Sequence, residues 1–81
     1  MLWQMQKWEF LFIRVPHEGE TSVLKPDGGI AHVPGEPIIV TLNRFGADGW
    51  ELIQGGVSPD SSGFIYMLKR PLPTVPPLFG S

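Results

Sequence analysis

The chain contains no cysteine, which excludes a disulfide framework and a thiolate metal cage, the two devices that staple many very small domains. Packing within the chain, or against a partner, has to supply that stability instead. Charge is scarce as well: Asp, Glu, Lys and Arg make up 17% of the residues, where an average soluble domain has about 25%. Such a surface does little to keep copies apart. Six Lys and Arg against eight Asp and Glu leave a net charge of -2, which offers no electrostatic footprint to a phosphate backbone and disfavours general nucleic-acid binding. Long apolar runs are missing too. Phe10-Leu11-Phe12-Ile13 stops at Arg14 and is preceded by Gln4, Gln6, Lys7 and Glu9, too short a run for a signal-peptide core or a membrane span. The expectation is a soluble, cytoplasmic protein with no membrane partner.

What remains is 81 residues, 42% of them hydrophobic. That length allows one domain, and a domain of this size buries only about 60% of its unfolded surface and is marginal alone. Ten glycines and nine prolines are nearly twice the average share of about 12% and map where regular structure cannot run. Residues 1–15 contain neither, and Lys7 to Val15 is rich in aromatic and β-branched side chains, as a strand should be. Alternation places Trp8, Phe10, Phe12 and Arg14 on one face and Glu9, Leu11, Ile13 and Val15 on the other. The middle of this strand is apolar on both sides and wants cover on both.

From Pro16 to Glu36 the chain is polar and interrupted by Pro16, Gly19, Pro26, Gly28, Gly29, Pro34 and Gly35. Thr21-Ser22-Val23-Leu24 and Ile30-Ala31-His32-Val33 flank Lys25-Pro26-Asp27-Gly28-Gly29, where proline presets a turn and glycine tolerates positive φ, so a short inserted hairpin is expected. Pro37 suits the first residue of a helix, and Ile38, Leu42 and Phe45 then share one helical face with Asn43 and Arg44 opposite, Gly46 standing at the C′ position. Three successive β-branched residues favour a strand here by propensity; the i, i+4, i+7 spacing favours the helix. Trp50 to Gln54 alternates as a short strand closed by Gly55-Gly56, and after the turn Ser58 to Gly63 the segment Phe64 to Arg70 forms the last strand. Residues 71–81, Pro-Leu-Pro-Thr-Val-Pro-Pro-Leu-Phe-Gly-Ser, read as a polyproline-like tail that nonetheless carries Leu78 and Phe79.

Three stretches carry a family likeness: Trp8-Glu9-Phe10, the block Leu42-Asn43-Arg44-Phe45-Gly46-Ala47-Asp48-Gly49-Trp50-Glu51-Leu52, and Tyr66-Met67-Leu68-Lys69-Arg70-Pro71. Together they resemble the small prokaryotic and phage domain-of-unknown-function family 4177, over about residues 7–15 and 38–71. Asp48 stands where that family usually has Glu, and Phe10 where it usually has Tyr. The resemblance implies a β-α-β-β fold and a phage or mobile-element origin; it brings no catalytic residue to transfer. The shared block also has a plain physical reading. Glycines end the helix and reverse the chain, and Trp50 drops a large ring onto the layer between helix and sheet.

Chemistry-bearing residues are few. His17, Glu18, Glu20 and His32 share the inserted segment, and a hairpin could gather them into a zinc ligand set, yet the spacing matches no established motif and exposed loop residues are the plainer reading. No serine or cysteine nucleophile stands in a recognisable turn, and neither Asp27-Gly28-Gly29 nor Gly55-Gly56 has the spacing of a phosphate cradle. An enzyme is not expected, nor a metal or a cofactor. Arg14, Arg44, Trp50, Tyr66 and Arg70 are residue types that stack on and clamp nucleotides and form the candidate set for a nucleotide-like small molecule held between copies. For Arg14 and Arg70 the alternative is a solvated strand end, paired with Glu9 or Glu51 across the sheet.

One helix covers one face of a three-stranded sheet, so the second apolar face needs cover, and the expected interface residues are Leu11, Ile13, Val15, Ile65 and Met67 with Leu78 and Phe79 of the tail. The hairpin, the tail or a second copy could supply that cover. The reading as a whole is a single α+β domain over residues 1–71, with 16–36 an inserted loop or hairpin and 72–81 a tail: a mainly antiparallel three-stranded sheet with one helix on one face, the first and second strands parallel and the last between them. Its expected function is non-catalytic self-association, a two-fold dimer or higher; a protein partner or a small-molecule ligand held between copies is the alternative, and an enzyme or metal-binding protein the third.

Overall fold

A computed structural model of the chain describes residues 6–33 and 35–72. Along the chain run β1 (Trp8–Pro16), β2 (Ser22–Leu24), β3 (Ile30–His32), α1 (Ile38–Ala47), β4 (Glu51–Val57) and β5 (Gly63–Pro71). The five strands form one sheet in the order β3-β2-β1-β5-β4, with every neighbouring pair antiparallel. The last strand does lie between β1 and β4, which therefore run parallel to each other. The sheet has five strands rather than three, because the inserted hairpin hydrogen-bonds to the free edge of β1 (Ile13 opposite Val23) instead of folding over a face.

Alternation along β1 decides which side chains the helix meets. Leu11 and Ile13, 2% and 0% exposed, join Val23, Trp50 and Leu68 in the core, and Ile38, Leu42 and Phe45 of α1 pack against them with Val15, Val33 and Tyr66. The side of Leu11, Ile13 and Val15, expected to be the interface side, is the one under the helix, and the side of Phe10 and Phe12 is the open one. The physical reason lies in the neighbouring strands. The Leu11 row continues into Leu68 and Leu52 and the Ile13 row into Val23 and Tyr66, whereas the Phe12 face carries Arg14, Lys69, Glu51 and Gln54 at its margins. The other face carries charge only as Glu9 and Arg70, which pair with each other, and is the cheaper one to bury.

Helix α1 begins after Pro37, which is the N-cap rather than the first helical residue. Thr41 is buried on the inner face and donates to Glu36 Oε1 at 2.8 Å, and Glu36 also pairs with Arg44, so the otherwise uncapped N-terminus is pinned by side chains. At the other end Gly46 stays helical, and Gly49, at φ +91°, takes the left-handed position expected of Gly46. The Gly49 N–H donates to the Gly46 carbonyl and the Trp50 N–H to the Phe45 carbonyl, the bond pair of a Schellman ending, with Trp50 and Phe45 supplying its apolar contact.

Strand β4 does not stop at Gly55-Gly56 but runs through both to Val57. The Tyr66 ring lies over Gly55 so closely that a Cβ there would sit 2.6 Å from Tyr66 Cδ1. Glycine at 55 is thus part of the strand's packing rather than its end.

Candidate functional site

The face of the sheet away from α1 has no cover among the described residues. Register lines up Ile30, Leu24, Phe12, Met67 and Gln54 as one row across all five strands. Beside it run His32, Ser22, Arg14, Ile65 and Gly56 on one flank and Phe10, Lys69 and Glu51 on the other. Phe10, Leu24 and Ile30 are exposed, while Phe12, Ile65 and Met67 are half-buried. Two hollows indent this face and share Phe12 and Ile65: one of about 390 Å³ walled by Phe12, Leu24, Ile30 and Ile65 with Arg14 and Ser22 at its polar end, and one of about 210 Å³ that includes Gln54, Val57, Pro59 and Met67. Near the end of the face the Lys69 ammonium sits 4.2 Å from the centroid of the Trp8 ring.

The expected interface residues divide between the two sides. Ile65 and Met67 are on the open face, but Leu11 and Ile13 are buried beneath the helix and Val15 packs against that core, so these three leave the candidate surface and Phe10, Phe12, Leu24 and Ile30 replace them. Leu78 and Phe79 lie outside the described residues. The hairpin residues Leu24 and Ile30 had no local signal of their own, because a three-residue strand shows its face only through its register with β1.

The candidate ligand residues do not converge. Arg70 spans the helix end: its guanidinium carbon lies 4.4 Å from the centroid of the Trp50 ring, Nη2 donates to Glu9 Oε1 at 2.9 Å and Nη1 to the Asp48 carbonyl at 3.1 Å. That set ties the last turn of α1 to β1 and β5. Trp50, 8% exposed, is core. Arg44 is engaged by Glu36 on the helix, Tyr66 lies over Gly55, and Arg14 is on the opposite face of the sheet. A hollow of about 380 Å³ does border Trp50 and Arg70, between the inner side of the hairpin (Val23, Val33) and Phe45, with Lys25 and Asp48 at its rim.

Arg14 donates to Ser62 Oγ at 3.0 Å, and its Nη2 stands 4.0 Å from Asp60 Oδ2. Asp60 organises the β4–β5 turn by accepting at Oδ1 from Ser58 Oγ (2.6 Å), Ser62 Oγ (2.6 Å) and Ser62 N–H (3.0 Å). These bonds, that from Ser58 foremost, hold its carboxyl well below the usual carboxylate range, with a smaller contribution from Arg14. In the inserted segment His32 Nδ1 lies 3.4 Å from Glu20 Oε2, while His17 stacks edge-on against Phe64 at 6.2 Å. Among the described residues no three His, Asp or Glu side chains gather as a metal site would require, and no helix is long and apolar enough to cross a membrane.

No family model matches the chain, and neither a curated protein nor a solved structure is similar to it.

Proposed function

We propose that this protein is a non-catalytic association domain whose open sheet face binds the same face of a second copy. The observation that carries the reading is the apolar row Ile30, Leu24, Phe12 and Met67, extended by Phe10 and Ile65, on a face that no described part of the chain covers. At about 4.8 Å per strand and 3.3 Å per residue, the sheet presents on the order of 600 Å² in projection, close to the ~800 Å² of accessible surface that each partner gives to a standard interface. Low charge density supports a self-complementary contact: along the central row only Gln54 is polar, and the charged Arg14, Lys69 and Glu51 flank it. The guanidinium groups that a nucleotide would need are each engaged by a carboxylate, a serine or a backbone carbonyl of the same chain, which favours association over ligand capture.

The test is Phe12→Glu. Phe12 lies outside the core under the helix, so the variant should keep its far-ultraviolet circular dichroism while a carboxylate in the middle of the contact lowers the mass in solution at least two-fold. Sedimentation equilibrium at high micromolar concentration reads this directly. A 9.0 kDa monomer for the unmodified protein, or a Phe12→Glu variant of unchanged mass, overturns the reading.

A further inference from the structure

Natural sheets blunt their edges with short strands, charged side chains, proline, bulges or a covering element, and the two edges of this sheet differ in how far they do so. Strand β3 is three residues long. Strand β4 is seven residues long, all seven are exposed, and Glu-Leu-Ile-Gln-Gly-Gly-Val contains neither lysine nor proline. Leu52, Ile53 and Val57 are exposed there at 47%, 45% and 64%. Its one edge device besides Glu51 is the bulge between Leu52 and Gln54, which leaves Ile53 without a partner in β5 and the stretch from Gln54 to Val57 regular and open.

Gly56 is the residue that the single chain does not explain. Gly55 is required by the Tyr66 ring, but a Cβ at 56 would meet nothing within 4 Å, and the φ of Gly56 is not positive. Glycine costs a strand stability unless a backbone or side chain from elsewhere approaches closely. We propose that the approaching group belongs to a second copy, and that β4 pairs antiparallel with β4 of that copy about a two-fold axis at Gly55. Gly56, which shares the open face with Gln54, then stands opposite Gln54 of the other chain and leaves room for that longer side chain. The two Gly55 residues face each other with a Tyr66 ring over each, an aromatic cover for an edge glycine pair. Val57 stands opposite Ile53 of the second copy, so the unpaired apolar residue of β4 gains an apolar partner. Glu51 falls beyond the paired segment, and the two acids never meet.

This edge contact does not depend on the face-to-face reading, and the two surfaces are compatible. If both operate, a reading that rests on the proposed function, two ten-stranded sheets stack with their helices outward in a four-chain assembly with two kinds of two-fold contact.

Native mass spectrometry and sedimentation equilibrium of full-length chains test the edge separately from the face. Ile53→Lys combined with Val57→Lys places lysine opposite lysine at both ends of the pairing, at exposed positions where folding should be unaffected. Its mass should be half that of the unmodified protein. Ile53→Lys combined with Val57→Glu alternates the charges across the same register and should regain the full mass. An edge-paired protein also leaves Phe12→Glu as a dimer, and joining Phe12→Glu to the two lysines yields monomers. A double-lysine variant of undiminished mass, or a lysine–glutamate variant that stays as small as the double-lysine one, overturns the edge pairing. A Phe12→Glu variant of undiminished mass overturns the face reading and leaves the edge result to be read from the other variants.

Discussion

Trp50→Ala probes the joint on which the domain turns. Trp50 is the C″ residue of the helix ending, is 8% exposed and lies in the core with Leu11, Ile13, Val23 and Leu68. A tryptophan buries about 150–250 Å², which at roughly 25 cal/mol per Å² gives about 4–6 kcal/mol as an upper bound. Truncation of such a residue costs about 3–5 kcal/mol. Against a total stability of about 4–12 kcal/mol for a chain of this length, Trp50→Ala should be largely unfolded or close to it. With a urea m-value near 1 kcal/mol/M for so small a domain, the midpoint should fall by about 3 M. Far-ultraviolet circular dichroism at one fixed protein concentration is the assay, since Trp3 and Trp8 would mix into a fluorescence signal and association would shift the midpoint with concentration. The stacked guanidinium of Arg70 is a separable part of the effect. In a double-mutant cycle of Trp50→Leu with Arg70→Met, a coupling of about 0.5–1 kcal/mol is expected for a cation over a ring at a partly exposed site. A Trp50→Ala midpoint within about 1 M of the parent would refute the reasoning, because a ring that can be deleted so cheaply is not holding helix and sheet together.

The alternation of β1 makes neighbouring residues respond differently: Ile13→Glu, at 0% exposure, should abolish folding in circular dichroism, whereas Phe12→Glu should stay folded and change only its mass. Gly63→Ala should lower the thermal midpoint sharply, since a Cβ there would lie 2.1 Å from the Val15 carbonyl oxygen and a backbone shift in a central pair of strands costs about 1–3 kcal/mol; an unchanged midpoint would mean that β1 and β5 separate easily at that end. Asp60 has its folded pKa depressed, so the stability it contributes is present above its unfolded value near 4 and is lost as pH falls through the folded one. Asp60→Asn should therefore flatten the loss of stability with acid below pH 4, measured as urea midpoints from pH 5 to pH 2, and an identical acid slope in both proteins would show that the turn bonds do not stabilise the charged form.

Much of the local structure was legible in consecutive residues. The strand through Trp8–Val15, the helix from Ile38, the strands around Leu52 and Leu68, the inserted hairpin and the burial of Trp50 all follow from periodicity and turn chemistry, which act over a few positions of chain. The position of the last strand between the first and the one after the helix was legible too, because a short turn pairs β4 with β5 and the helical crossover leaves β1 the other neighbour.

Tertiary structure alone decided the rest, since each remaining choice is made by residues distant in sequence. Both faces of β1 are apolar in its own nine residues; the core side is set by Leu68, Tyr66 and Val23, and the charges that mark the other side come from Lys69 and Glu51. Gly55 reads as a strand end until the Tyr66 ring is laid over it. Arg70 looks like a free guanidinium until Glu9, 61 residues away in sequence, comes to 2.9 Å from it. A single sequence carries its local periods in consecutive residues, but which face is buried, and which charge is neutralised, are properties of pairs that only the folded chain brings together.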